Sequence, residues 1–267
     1  MPLRLTPTFR DDLAAASRPL AGMWVSSGSP VVAEICAGSG LDWLLIDMEH
    51  SPNGLGSVLT QLQAVAAYPI TPVVRVPSGD AITIKQVLDL GAQNLLVPMV
   101  SSAEEARAVV AAVRYPPRGV RGVGAALARS ARWNRVEDYL RDADEHVSLL
   151  VQVETVAGVE AAGEIAAVDG VDGVFVGPAD LAASMGLLGQ QSHPEVMAAI
   201  QRTFEAARAA GKPVGVNAFD PAVAARHLEA GASFVVVDAD VALLARGSEA
   251  LSARWVHGAG DAPRSSY

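Results

Sequence analysis

Short runs of Val, Ile, Leu and Ala recur along the chain, separated by stretches in which apolar residues return every three or four positions. The runs Ala21–Val25, Trp43–Met48, Pro72–Val76, Asn94–Pro98, Ser148–Val153, Gly173–Val176, Pro213–Val216 and Phe234–Val237 predict eight strands. Their nearly unbroken apolar character suits strands covered on both faces, as in a parallel sheet wrapped by helices.

The intervening stretches predict those helices. Gly54–Tyr68 places Leu55, Val58, Leu59, Leu62 and Val65 on one stripe. Ser102 with Glu105 predicts a capping box opening a helix through Arg114, which Pro116 and Pro117 stop. Pro194 suits the first turn of a helix reaching Ala210, and Asp220–Pro221 opens the next. Gly91, Gly211 and Gly231 each end a helical pattern just before a strand. Eight such units predict a single-domain α/β fold, a (β/α)8 TIM barrel, over residues 1–257. The competing open doubly wound sheet uses fewer strands and a glycine-rich first turn, neither of which appears. The stretch Arg118–Glu145, with arginine-rich RGVRGVGAALARSARWNR followed by a short helix, is too long for a simple connection and predicts a pocket lid or an intersubunit contact. Residues 258–267 read as a flexible tail.

Composition narrows the class. With 51% hydrophobic and 18% charged residues among 267, a disordered state is excluded. No apolar run is long enough for a membrane span and no signal pattern opens the chain, so a cytoplasmic protein is expected. A net charge of −9 argues against nucleic-acid or anionic-membrane partners. The single cysteine, Cys36, excludes an internal disulfide and thiolate-rich metal sites. Among 20 basic residues only Lys85 and Lys212 are lysines.

In a barrel of this kind the chemistry lies at the C-terminal ends of the strands. Asp47, Glu49 and His50 end the second predicted strand, Arg75 lies in the third, Gln152 and Glu154 end the fifth, and the sixth runs into Gly177–Pro178–Ala179–Asp180. Gln152 and Glu154 are two apart and share a direction into the mouth. Glu154 and Asp180 offer carboxylate oxygens to a hard divalent cation, Mg²⁺, Mn²⁺ or Co²⁺ rather than zinc. Their bland alternatives are an arginine partner for Glu154 and a helix-capping role for Asp180. Ala179 and Asp180 expose backbone N–H groups suited to a substrate carboxylate. Arg75 either pairs with Asp47 or Glu49 or faces an oxygen on which negative charge grows. His50 either acts as a base or caps and packs before Ser51–Pro52. Asp89, near a helix end, is a candidate to orient a histidine. Neither lysine sits where a Schiff base with a keto substrate forms, so carbonyl chemistry here requires a metal to stabilise an enolate.

DWLLIDMEHSPN, QNLLVPMV, RYPPRGVRGVGAALARSARWNR, LVQVET and DGVFVGPADL together resemble the class II, pyruvate-dependent hydroxyketoacid aldolases, over roughly Leu20 to Ala253. The resemblance implies a metal-dependent barrel that reversibly cleaves 4-hydroxy-2-oxo acids, such as 4-hydroxy-2-oxoheptanedioate, to pyruvate and an aldehyde such as succinic semialdehyde. It implies Glu154 and Asp180 as metal ligands and Gln152, Ala179 and Asp180 as substrate contacts. His50 becomes the base, Arg75 the transition-state arginine and Asp89 the acid that raises the histidine's basicity. It also implies a homo-oligomer, a hexamer built from dimers, with a C-terminal helix at about 239–256 exchanged between subunits. Val156, where relatives often carry arginine, and VNAFD at the seventh strand depart from the pattern on the aldehyde side. A malyl- or citryl-type thioester lyase is the alternative enzyme, with Arg114–Arg135 as its docking site for a nucleotide-bearing carrier. A non-catalytic barrel binding a 2-oxo acid is the alternative from another class.

Overall fold

The computed structural model describes residues 3–257. Its strands β1 (Leu20–Val25), β2 (Trp43–Asp47), β3 (Thr71–Arg75), β4 (Asn94–Val97), β5 (Ser148–Val153), β6 (Gly173–Val176), β7 (Val214–Asn217) and β8 (Phe234–Ala239) are paired in chain order, all parallel. Leu20 of β1 pairs with Phe234 of β8 and closes the barrel. Helix α1 (Phe9–Ala15) precedes the first strand. Then come α2 (Pro30–Ala37), α3 (Leu55–Ala64), α4 (Ala81–Asp89), α5 (Ala103–Val113) and the short α6 (Tyr139–Asp142). The second half carries α7 (Val156–Glu160), α8 (Ala162–Ala166), α9 (Pro178–Ser184), α10 (Pro194–Ala209), α11 (Pro221–Glu229) and α12 (Asp240–Ser252). The predicted tail, 258–267, lies outside the described residues, and no described helix is long and apolar enough to cross a membrane.

The local signals act much as expected, with one difference. Ser102 caps α5 by accepting from the Glu105 N–H, but the Glu105 carboxylate accepts from Ser101 N–H at 2.7 Å rather than from Ser102. Gly91, Gly211 and Gly231 have φ of +92°, +73° and +103°, the left-handed conformation that turns each helix directly into the next strand.

The long connection after α5 packs against the foot of the barrel, where helices end and strands begin. The Arg121 guanidinium is fully buried there, 4.5 Å from the Tyr115 ring centroid and 3.1 Å from Asp89. Arg129 donates to the Leu90 carbonyl at 3.0 Å. Tyr115, Ala125, Ala131, Val136 and Tyr139 form a small apolar cluster beneath these arginines. The segment therefore braces the end of α4 and does not cover its own barrel mouth.

α12 packs on β1 and β8 and carries a row of uncovered apolar side chains, Leu244 being 68% exposed, and the turn that prolongs it adds Trp255, 80% exposed. The helix expected at about 239–256 is this element, prolonged by a single π turn at Ala253–His257.

Strand parity sorts the core into two compartments. Leu44, Ile46, Val74, Val151, Val153, Val174 and Val214 face the helices, while Trp43, Leu45, Val73, Leu96, Leu150, Phe175 and Phe234 fill the barrel interior with Phe9 of α1. Large side chains lie over glycines of the paired strand. The Trp43 ring rests on Gly22 and the Phe234 ring on Gly215, their register partners. A Cβ at Gly22 meets Trp43 ring atoms at 2.5–2.6 Å. Gly22→Ala is therefore expected to overpack this layer and lower stability by about 1–3 kcal/mol. The check is the denaturant midpoint, and an unchanged midpoint would show that the layer has slack.

Candidate active site

Inward parity carries on to the strand ends and delivers the polar residues to the mouth. Arg75 ends β3 opposite Asp47 of β2 and grips it bidentately, with Nε and Nη2 each donating at 2.8 Å. Its Nη1 lies 2.8 Å from Glu49, and its guanidinium stacks 4.9 Å from the Trp24 ring centroid. Burial alone raises the pKa of Asp47, but the Arg75 bonds and the N–H groups of Glu49 and His50 outweigh it and hold the carboxyl below its ordinary value. Glu49 is pushed up by burial, which outweighs the attraction of Arg75 and His50. For Arg75, burial opposes the charge, and Asp47 and Glu49 more than restore it. The salt-bridge reading of Arg75 is thus realised with both carboxylates, while the side chain still borders the cavity.

His50 follows on a loop organised by Asp47. The Asp47 carboxylate accepts from the backbone N–H groups of Glu49 at 3.0 Å and His50 at 3.3 Å, and its carbonyl accepts from Ser51 Oγ and Asn53 Nδ2. The imidazole is exposed, with Nε2 3.8 Å from Glu49.

On the opposite wall Gln152 and Glu154 are buried. Glu154 Oε1 accepts the Met99 N–H at 2.8 Å, and Oε2 is in short contact with Gln152 Nε2. Gln152 Oε1 is buried without a hydrogen-bond partner among the described residues. Gly177 makes this wall possible, because a Cβ there would strike Glu154 and come within 2.9 Å of Gln152 Nε2. Burial raises the Glu154 pKa to about 7, and the neighbouring charges of Glu49 and Asp180 add to the effect. Neither bland alternative for the two acids is realised. Among the described residues Glu154 forms no direct ion pair, and the Asp180 side chain does not cap α9.

A cavity of about 390 Å³ opens among Trp24, Asp47, His50, Arg75, Gln152 and Asp180, with Gly177, Ala179, Asn217 and Arg246 also on its walls. Glu154 lies just behind, under Gly177 and Gln152. Six of the seven expected site residues are thus brought to one mouth. Asp89 is not. It ends α4 at the foot of the barrel, bound to Arg121, away from the His50 of its own chain. The carboxylates beside His50 are Asp47 and Glu49. Lys85 and Lys212 stay away from the cavity, Lys212 donating to the Val171 carbonyl, in keeping with the exclusion of a Schiff base. Trp24 is a site residue that the strand pattern hides, and Asn217 is the member of the VNAFD departure that ends β7 on the cavity wall. Each stands in an apolar run, and only the parity of β1 and β7 turns it inward.

The matching family model is that of HpcH/HpaI aldolase/citrate lyase, over residues 20–246. A 4-hydroxy-2-oxo-heptane-1,7-dioate aldolase of Salmonella dublin is 55% identical over 247 residues, 92% of this chain and 94% of that one. The enzyme of the same name from Klebsiella pneumoniae is 55% identical over 251 residues, 94% of each chain. The crystal structure of an HpcH/HpaI aldolase/citrate lyase family protein from Burkholderia cenocepacia J2315 superposes with a TM-score of 0.90 at 42% identity, covering 95% of this chain and 100% of that one. Likeness of this extent, on a barrel whose mouth gathers the expected acids, histidine and arginine, shows that the chain belongs to the HpcH/HpaI aldolase/citrate lyase family of metal-dependent carbon–carbon lyases.

Proposed function

We propose that this protein cleaves 4-hydroxy-2-oxo acids to pyruvate and an aldehyde, and runs the reverse condensation, with 4-hydroxy-2-oxoheptanedioate and succinic semialdehyde as the expected pair. The observation that carries the reading is one cavity bordered by His50, Arg75, Gln152 and Asp180 in front of the buried Glu154 carboxylate. The names of the relatives at 55% identity support it.

The donor set fits a hard divalent cation, Mg²⁺, Mn²⁺ or Co²⁺. Glu154 is a buried carboxylate with raised pKa, close enough to Asp180 to feel its charge, and a cation relieves both. Among the described residues no cluster of three or more His, Cys, Asp or Glu is arranged around a metal position. Two carboxylates are then the protein's share, and the remaining positions suit water and a chelating 2-oxo acid. When bound there, the ion supplies Lewis acidity toward the 2-oxo group.

The chain's own groups do the rest. The backbone N–H groups of Ala179 and Asp180 receive the substrate carboxylate. His50 removes the proton of the C4 hydroxyl. As the C3–C4 bond breaks, the aldehyde leaves, the bonding electrons pass to the enolate of pyruvate, and Arg75 faces the oxygen that gains charge. A proton returned to C3 completes pyruvate. Asp89 is tied to Arg121 at the foot, so an effect on basicity requires the His50 of a second copy. We read the uncovered face of α12 as the contact with such a copy, within a hexamer built from dimers. The thioester alternative loses its support, because its docking arginines are engaged elsewhere. Arg121 holds Asp89, Arg129 holds Leu90, and Arg114 and Arg118 hold Asp144.

In a coupled assay for pyruvate, EDTA should abolish cleavage and Mn²⁺, Co²⁺ or Mg²⁺ should restore it. Undiminished activity in EDTA rejects the metal reading. His50→Ala should lower kcat by about 10²–10⁴-fold. Arg75→Lys should lower it by about 10²–10³-fold with a smaller change in KM. Full turnover in His50→Ala removes the base assignment.

Glu154 gives a pH test. Its folded pKa of about 7 lies above its ordinary 4.5, so the folded state holds the proton more tightly. The resulting stabilisation is complete below the unfolded value and is lost as pH rises through about 7, an effect of about 3 kcal/mol. In EDTA, wild type should therefore lose more stability between pH 5 and pH 8 than Glu154→Gln, and equal losses in denaturant titrations would rule out the shift. The assembly reading is tested by light scattering. Leu244→Glu with Trp255→Glu should reduce the mass toward the 27.6 kDa of one chain, and an unchanged oligomer would exclude α12 as the contact.

A further inference from the structure

The cavity of the candidate site extends beyond its catalytic end to the first turns of α12. Val241, Ala242 and Arg246 of that helix border it, beside Asn217 and Phe219 from the end of β7. Ala242 and Arg246 are four apart and share the face toward the cavity, whereas Leu244 is exposed on the other side. Asp240 fixes this end of α12 by accepting from the N–H groups of Ser26 at 2.8 Å and Ser27 at 3.1 Å. The Arg246 guanidinium is thereby brought to the mouth on an anchored helix.

Two arginines reach the cavity wall, and they differ in their commitments. Arg75 directs all three of its nitrogens at Asp47 and Glu49, in the buried clamp. Arg246 forms an ion pair at 3.0 Å with Glu249, three residues further along α12, the two side chains being 32% and 43% exposed. An ion pair this exposed is weak and exchanges readily for a competing carboxylate. Asn217 stands nearby, half-buried, its parity inward and opposite to that of Val216. Its carboxamide adds two N–H donors.

A tail leaving the reacting carbon has two directions to take. A second cavity, of about 630 Å³, meets the first at Asn217 and Phe219, but Asp220 and Asp238 line it and among the described residues no lysine or arginine does. A carboxylate is repelled from that side and drawn toward α12.

We propose that Arg246, with the Asn217 amide, is the seat of the ω-carboxylate of the aldehyde partner, and that Glu249 holds the guanidinium until that carboxylate displaces it. This deepens the aldolase reading above and rests on it. In the synthetic direction a proton leaves the methyl of pyruvate, C3 bonds to the aldehyde carbon, and the former carbonyl oxygen takes a proton. With the pyruvate carboxylate on the Ala179 and Asp180 amides, the aldehyde's methylenes run along Phe219, Val241 and Ala242 toward the guanidinium.

Succinic semialdehyde and butanal share a four-carbon chain and differ in the terminal carboxylate. Each is condensed with pyruvate in the presence of Mn²⁺, and kcat/KM is measured for the aldehyde. The ratio of succinic semialdehyde to butanal should be well above one in wild type and should fall about ten- to hundredfold in Arg246→Met, the loss of one charge-assisted contact. Arg246→Lys should keep part of the preference, because the charge survives without the planar fork. Asn217→Leu should lower the ratio by a smaller factor. Glu249→Gln, at an exposed position where folding is not at risk, removes the competitor and should lower KM for succinic semialdehyde by about twofold. A ratio near one in wild type, or one that neither Arg246→Met nor Glu249→Gln moves, overturns the seat while leaving the aldolase reading intact. No condensation with either aldehyde overturns both.

Discussion

A guanidinium cannot be buried in the mouth of a barrel without anions to meet it, and the Arg75 clamp shows how far that requirement reaches. Its three nitrogen edges are committed to Asp47 and Glu49, and its face to Trp24. Asp47, once fixed, organises the loop that follows β2 through its carboxylate and its carbonyl, and that loop carries His50. Position thus passes from a charge on β3 to a carboxylate on β2 and from there to an exposed imidazole. Removing Arg75 leaves two carboxylates without their cation, and removing either carboxylate leaves the buried cation with one partner, so the clamp acts as a unit.

The rest of the mouth is weighted toward negative charge. Beyond burial, the charge of Asp180 raises the proton affinity of both Glu49 and Glu154, and Glu49 adds to that of Glu154, while Asp47 and Glu49 balance the charge of Arg75. An anionic 2-oxo acid and a carboxylate-rich wall are compatible only if further positive charge intervenes. The electrostatic deficit behind Gly177 and the chemistry proposed for the substrate therefore make the same demand.

The barrel and most of its site were legible because both depend on short-range regularities. Period-two alternation located Gln152 and Glu154 on one side of β5, and glycine-terminated helices marked where strands begin. The place of Asp89 is not legible in the sequence because its surroundings depend on the fold of a distant segment. Only tertiary packing brings Arg121 from the long connection to the end of α4. Trp24 is hidden for a related reason, and Asn217 shows only as part of the VNAFD departure. In an apolar run, an inward-facing residue at the rim has the same local signature as one deep in the core. The Arg75 alternatives could not be separated from sequence because the structure contains both, a salt bridge and a group at the cavity wall.

The pairing of β1 with β8 reaches beyond geometry. Asp240 also ties the end of this seam to Ser26, a sequence separation of 214 residues. In a chain synthesised from its N-terminus, β1 emerges early and keeps one edge unpaired until nearly every other residue has been made. Its inward Trp24, and the glycine that admits Trp43, then wait for β8 before the interior is sealed. Closure is a late, whole-chain event governed by loop entropy, and a truncation just before β8 removes the keystone of the ring rather than one stave.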